Sequence, residues 1–340
     1  MEFQELNNDQ RRELVNTKQR YAAFREAKAQ SDAHRGSMVW NEIKGREYLI
    51  RSYYDKLGIR RQASIGVRSE ETERMKEEFD RGRQEASDRL KNLKEVLTRQ
   101  AAINRAVGLA RVPLIGAKII RALDATGMLG SGIRVLGTNS IYAYEAAAGV
   151  LIDPGLTTTE DIDLLFDSRG GLTFIATDDI SDRSLMAVLQ KVDRSFRKSR
   201  ETFRAGNRDG YLVDLIKPTR NPPWLPDTVQ VGGSPQDLVA VEIEGLAWHE
   251  NAPPFEAIAI DEKGGPLRIV TSDPRVWAAH KLWLSKRPNR DVNQGARDAA
   301  QAHLIAQLVA KYLPHLQFEA EQMRMIPKEV FEQALPLFQA

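Results

Sequence analysis

Apolar residues recur along the chain with two different periods, and the places where one period gives way to the other divide it into regions. Residues 5–33 are polar and rich in helix formers, which predicts an amino-terminal helix. A segment around Gly36 and Trp40 leads into residues 47–67, EYLIRSYYDKLGIRRQASIGV. There, β-branched and aromatic residues flank Lys56-Leu57-Gly58, the pattern of a β-hairpin. From Ser69 onward Met75, Phe79, Ala86, Leu90, Leu93 and Leu97 return at the spacing of one helical stripe, with charged faces between them. Ser69 and Thr72 make a weak cap, while Glu70, Glu71 and Glu73 suit the positive end of that helix. A further helix is expected over 100–123, broken near Pro113.

After Gly127, Gly130 and Gly132 the pattern changes. Short apolar runs predict strands at 134–136, 162–166 and 211–216, interleaved with helices at 141–148 and 184–196. Strand-like pieces continue at 229–231, 238–243, 257–260 and 267–270, and helical periodicity returns at 277–284, 297–312 and 327–337. Alternation of this kind marks a sheet domain of the α/β or α+β type. The expected organisation is a mainly helical region over 1–125, a sheet domain over 126–272 and a helical region over 273–340. The amphipathic amino-terminal helices offer faces for packing against the next domain or against a second copy of the chain, as in a homo-oligomer.

Composition narrows the classes. At 340 residues the chain exceeds what one core usually serves, and 42% hydrophobic with 28% charged residues excludes wholesale disorder. A formal net charge of +2 excludes a bulk polycation and leaves a local basic patch open. With no cysteine there are no disulfides, thiolate metal sites or cysteine nucleophiles, which suits a reducing cytoplasm. The histidines, His34, His249, His280, His303 and His315, form no HxH or HxxxH pair. The charged amino terminus lacks the apolar segment of a secretory signal, and no apolar run reaches the length of about 18 residues that a membrane helix needs, so a cytoplasmic protein is expected. Walker, nucleophile-elbow and dinucleotide fingerprints are absent, which removes P-loop, serine-hydrolase and Rossmann readings.

Three pieces of the middle region carry candidate chemistry. Val135-Leu136-Gly137-Thr138-Asn139-Ser140 reads as a strand ending in glycine and a hydroxyl residue at the start of a helix, where backbone N–H groups favour a phosphate; a plain turn reads the same way. Thr159-Glu160-Asp161-Ile162-Asp163-Leu164 places Asp161 and Asp163 on one face of a strand, with Ile162 and Leu164 turned into the core. Two adjacent carboxylates repel unless a cation such as Mg²⁺ neutralises them, although a strand-end surface pair has the same spelling. Tyr211-Leu212-Val213-Asp214-Leu215-Ile216 sets one acid in an apolar strand, where it either pairs with a neighbour such as Arg204 or Arg208 or joins a metal site. Three carboxylates on neighbouring strands can cradle two ions that clamp the attacking and leaving oxygens of nucleotidyl transfer.

The order glycine-threonine, then DxD, then a lone aspartate on an apolar strand resembles the polymerase-β-like nucleotidyltransferase superfamily. The strings GTNSIYAYEAAAGV, TEDIDLLFD and SDPRVWAAHKLWLSKRPNRD, followed by RDAAQA, resemble a bacterial nucleotidyltransferase-like family more narrowly. The resemblance implies an α+β palm, a mixed sheet with flanking helices, between helical end regions. It also implies Mg²⁺ or Mn²⁺ on Asp161, Asp163 and Asp214, with Gly137, Thr138 and Asn139 at the triphosphate of an NTP. Lys281 is the nearest match to a helical lysine that reaches the phosphates, ahead of Lys286 and Arg287, and it shares a helix face with Trp277 and Ser285. Two features depart from the pattern: threonine and asparagine follow the glycine where serine is common, and residues 291–295 lack a lysine. Arg297 and Asp298 match an arginine-aspartate pair of the family and equally a helix-surface ion pair.

The activity so implied moves a nucleoside monophosphate from an NTP to a hydroxyl of RNA, a protein or a small molecule, releasing pyrophosphate. A catalytically silent nucleotide-binding or partner-binding protein and a toxin–antitoxin component are the alternatives on the same fold. Arg51, Arg60, Arg61 and Arg68, on or beside the hairpin, form a candidate acceptor patch.

Overall fold

Asn7 and Gln10 start the first helix by bonding reciprocally: each side chain accepts from the other's backbone N–H. The computed structural model describes residues 3–55, 59–167, 169, 184–220, 230–232 and 234–339. After a short strand β1 (Phe3–Glu5), α1 (Asn8–Ala33) runs out to a small antiparallel sheet of β2 (Ser37–Ile43), β3 (Arg46–Tyr54) and β4 (Arg60–Val67). The Lys56-Leu57-Gly58 turn lies outside the described residues. β2 was not foreseen, because SMVWNEI mixes apolar and polar residues without a core face of its own.

Helix α2 (Glu70–Ala106) then returns antiparallel to α1. Ser69 and Thr72 cap it reciprocally, a stronger start than the sequence suggested, since a threonine hydroxyl can stand in for the usual glutamate. The two helices are joined mainly by polar bonds: buried Gln100 donates to Glu13 at 3.0 Å, Thr17 to Asn104 at 3.0 Å, and Arg89 reaches Glu26 at 2.9 Å. Asn104 also donates to the Gly264 carbonyl at 2.9 Å, which ties the hairpin to the sheet domain. The break expected near Pro113 within 100–123 is there and is wider than a kink: α2 stops at Ala106 and α3 (Leu114–Ala125) begins after Pro113, whose missing N–H is harmless at a helix start.

The sheet domain follows: β5 (Ile133–Leu136), α4 (Ile141–Ala148), β6 (Val150–Ile152), α5 (Pro154–Thr157), β7 (Asp161–Phe166), α6 (Leu185–Val192), β8 (Arg197–Lys198), β9 (Arg204–Gly206), β10 (Leu212–Pro218), β11 (Val241–Ile243), α7 (Leu246–Asn251), β12 (Pro254–Ile260) and β13 (Pro266–Ser272). Eight strands form one mixed sheet in the order β12-β13-β5-β7-β10-β9-β8, with β11 paired to the far half of β10. β6 pairs instead with β1. Of the strand-like piece at 229–231, Val229 lies outside the described residues and the remainder is not strand.

Alternation along the strands separates two faces. Ile162, Leu164, Val213, Leu215 and Val135 enter one core with Ile119, Ile120 and Leu123 of α3 and Val188 and Leu189 of α6. Asp161, Asp163, Leu165, Asp214 and Ile216 occupy the opposite parity. A second core gathers Ile141 and Tyr144 of α4 with Trp277 of α8 (Pro274–Ser285), Leu304, Ile305 and Leu308 of α9 (Val292–Tyr312) and Val330 of α10 (Lys328–Ala334). The chain is therefore a mixed α+β protein whose carboxylate-bearing sheet face opens toward α8 and α9. Among the described residues no helix is long and apolar enough to cross a membrane.

Candidate active site

The site begins with register. β7 and β10 run parallel and put Asp163 opposite Asp214, so those Cα atoms are one interstrand spacing apart, about 4.8 Å. On the other side β5 pairs Leu136 with Asp163, which brings Gly137 over that carboxylate. Gly137 has φ +63°, and a Cβ there would stand 2.0 Å from Asp163 Oδ2. Glycine is needed for both reasons, backbone conformation and space. Trp277 Nε1 donates to the Gly137 carbonyl at 3.2 Å and fixes the turn from the α8 side.

Asp163 lies half-buried beside two more carboxylates. Its acid is pushed up to about 7, first by burial and then by the charges of Asp161 and Asp214, with Lys281 and Arg204 opposing. Asp161 accepts from the Thr159 hydroxyl. Asp214 is held differently: Arg204, its register partner on β9, donates to both of its oxygens at 2.7 Å. That bidentate pair raises the arginine pKa above its usual value, chiefly through the hydrogen bonds to Asp214.

Across from Asp161 and Asp163 stands a cationic wall. A cleft of about 280 Å³ is lined by Gly137, Thr138, Asp161 and Asp163 on the sheet side and by Lys281, Arg290 and Arg297 on the helical side. Buried Asp298 organises two of these cations, accepting from Lys281 Nζ at 2.6 Å and from Arg290 Nη2 at 2.7 Å. Lys281 also lies 5.4 Å from the centroid of the Trp277 ring, the helix-face neighbour expected from their spacing. Arg297 makes no pair with Asp298; its guanidinium donates to the Thr158 carbonyl. Gln301 donates to the Leu156 carbonyl at 2.8 Å and to Thr138 Oγ1 at 3.4 Å.

Of the residues singled out in the sequence, Gly137, Thr138, Asp161, Asp163 and Lys281 meet around this cleft. Asp214 shares their sheet face and is turned to Arg204, whereas Asn139 is buried away from the cleft, donating to the Asp161 carbonyl at 2.7 Å and bracing the DxD strand. Lys286 reaches Gln333 and Arg287 pairs with Glu244, outside the cleft lining. Arg290, Gln294 and Gln301 were not foreseen. Asp291, which caps α9 by accepting from the backbone N–H groups of Asn293 and Gln294, was the available signal that the helix starts early enough to bring in Gln294 and Gln301.

A second cavity of about 190 Å³ shares Gly137, Asp163, Lys281 and Arg290 with the first and is otherwise lined mainly by apolar side chains, among them Leu136, Ile216, Leu246, Trp277 and Leu284. In its wall His249 and His280, remote in sequence, are hydrogen-bonded ring to ring at 2.9 Å. Burial holds both neutral, pushing His280 down to about 3 and His249 well below its usual value.

The donor set suits a hard divalent ion, because Asp161 and Asp163 crowd two carboxylates at the floor of a cleft and burial makes a bare charge on Asp163 costly. Among the described residues, however, no group of three histidine, aspartate or glutamate side chains is already gathered tightly enough to hold one. Asp214, the register neighbour of Asp163, has both oxygens taken up by Arg204.

A family model described as a nucleotidyltransferase matches residues 116–327, more than half of the chain and all of the elements that line the cleft. No curated protein and no solved structure matches it.

Proposed function

The chain belongs to that nucleotidyltransferase family, and from this premise we propose that it transfers a nucleoside monophosphate from an NTP to an acceptor hydroxyl in a reaction that needs Mg²⁺ or Mn²⁺. The observation that carries this reading is the single cleft in which Asp161 and Asp163 face Lys281 and Arg290 beneath a glycine with no room for a side chain.

Asp161 and Asp163 would hold the metal, joined by Asp214 when Arg204 releases it. Bound divalent ions would neutralise the triphosphate and stabilise the charge that develops on the attacking and leaving oxygens. Gly137 lets phosphate oxygens approach the backbone and Thr138 offers a hydroxyl, while Lys281 and Arg290 balance phosphate charge from the helical wall. Asn139 acts through Asp161, by fixing its strand. The acceptor oxygen forms its bond to the α-phosphorus as the bond to the bridging oxygen breaks, and pyrophosphate leaves. The hydroxyl proton passes to a carboxylate, a role we assign to Asp214. The adjoining apolar cavity is suited to a flat or apolar part of the nucleotide or the acceptor.

Incubation with each NTP labelled at the α-phosphate, together with cell extract, tests this. Label should move to an acceptor with the wild type and not with Asp161→Ala/Asp163→Ala; equal transfer by both would remove these residues from the reaction. A second reading, nucleotide binding without transfer, draws on the Arg204 clamp that occupies both oxygens of Asp214. It predicts metal-dependent NTP binding and no label transfer with any acceptor in the extract.

A further inference from the structure

The end of the α1–α2 hairpin farthest from the sheet domain carries a charge arrangement that the cleft does not use. Of the four arginines proposed from the sequence as an acceptor patch, two are neutralised: Arg61 pairs with Asp55 at 2.9 Å, and Arg68 with Glu47 at 2.7 Å and Glu73 at 2.8 Å. The other two join arginines from the helices. Arg60 lines a cavity of about 600 Å³ with Arg35 and Arg83. Arg51 adjoins it, donating to the Arg35 and Ser52 carbonyls.

Among the described residues, Arg51 and Arg60 bond only to uncharged oxygens, Arg60 to Ser52 Oγ at 2.7 Å. Among the described residues Arg83 makes no ion pair, and its charge repels that of Arg51. Asp32, the acid in the cavity wall, is paired with Lys28 at 2.9 Å. The Arg35 guanidinium carbon lies over the Tyr54 ring, 4.1 Å from its centroid. Like charges gathered with so little acid are stabilised by an anion that brings several negative groups at once.

We propose that this tip binds a polynucleotide, with Arg51, Arg60 and Arg83 taking backbone phosphates and the Arg35–Tyr54 stack offering a planar face to a base. Cations for the backbone beside an aromatic platform are the chemistry of single-strand binding. Arg25 of α1 still pairs with Asp124 and Glu256 of the sheet domain, and from there to His34 the helix runs on the order of 14 Å further out, at about 1.5 Å per residue. The tip shares no lining residue with the cleft, so an extended polyanion can touch both while a metabolite-sized acceptor seated in the cleft would not use it. That this polynucleotide is also the acceptor rests on the nucleotidyl-transfer reading, whereas its binding does not.

The test is fluorescence anisotropy with labelled single-stranded RNA and single-stranded DNA of mixed sequence, without NTP or metal, so that it reads the tip and not the cleft. Arg60→Gln/Arg83→Gln is compared with the charge-matched Arg61→Gln/Arg68→Gln, which removes only arginines already paired. The first variant should weaken binding on the order of tenfold and lower the salt slope by about 1.4, some 0.7 for each lost phosphate contact, while the second stays near wild type. RNA bound more tightly than DNA, or the reverse, identifies the polymer. Equal weakening by both variants, no binding by the wild type, or displacement by polyglutamate as readily as by nucleic acid would overturn the proposal, the last assigning the tip to an acidic protein. Wild type that binds RNA and transfers no nucleotide would refute the catalytic reading and leave the tip standing; transfer without polynucleotide binding would do the opposite.

Discussion

Gly137 and Gly149 make a matched pair for testing how Asp163 is held. Their backbones are nearly the same, φ +63° and +67°, in the left-handed region that costs a side chain about 1–2 kcal/mol. Their surroundings differ: a Cβ at Gly149 meets nothing within 4 Å, whereas one at Gly137 falls 2.0 Å from Asp163 Oδ2 and 3.1 Å from its Cγ. The obstructing atom is the far end of a side chain, so in Gly137→Ala the carboxylate swings aside instead of the strand unfolding. Both alanine variants should therefore lose about 1–2 kcal/mol of stability in thermal melts. Function should separate them, because moving a reacting group by about 1 Å costs on the order of 100-fold in rate. With label transfer from an α-labelled NTP as the assay, Gly149→Ala should stay within about twofold of wild type and Gly137→Ala should lose about 100-fold or more. Equal rates for the two variants would mean that Asp163 does not work from beneath Gly137.

Three further outcomes follow from the charges around the cleft. Asp298→Asn slackens the hold on Lys281 and Arg290, so KM for the NTP should rise about tenfold with a smaller change in kcat, read by steady-state kinetics; an unchanged KM would mean that this clasp does not position the phosphate ligands. Arg204→Gln leaves Asp214 without its counter-charge and should destabilise the metal-free protein by about 2 kcal/mol, a loss that Mn²⁺ restores; melting curves that ignore Mn²⁺ would argue against a metal role for Asp214. Asp163, with its folded pKa raised from 3.8 to about 7, keeps a proton that the unfolded chain has lost, so stability is greater below about pH 7 and falls as pH rises through it. In chelator the wild type should lose about 1 kcal/mol between about pH 6 and pH 8, and Asp163→Asn much less; parallel pH profiles would show that Asp163 is not the strained acid.

What could be read from the sequence followed how far each feature depends on local pattern. The strands bearing Asp161, Asp163 and Asp214 were legible because an acid interrupting an apolar alternation has few causes, and register then brought Asp163 and Asp214 side by side. Both readings open for Asp214 were physically sound, and the pairing with Arg204 is the one the fold displays. That Lys281 neighbours Trp277 on one helix face followed from their spacing. The inward turn of Asn139 toward the Asp161 carbonyl was not legible, because adjacency to Gly137 says nothing about which way a short turn aims the next amide. Arg290 and the inward turn of Asp298 were illegible for a different reason: they depend on how α9 packs on α8, a contact set by tertiary structure alone. The pairing of His249 with His280 has the same origin.

The most direct test of the central claim compares one NTP labelled at the α-phosphate with the same NTP labelled at the γ-phosphate, with Mg²⁺ or Mn²⁺ and an acceptor from the extract, for wild type and Asp163→Asn. The account predicts that α-label becomes attached to the acceptor and γ-label appears as pyrophosphate, both lost in the variant and in chelator. Transfer of γ-label, or transfer of α-label that survives Asp163→Asn, would contradict it.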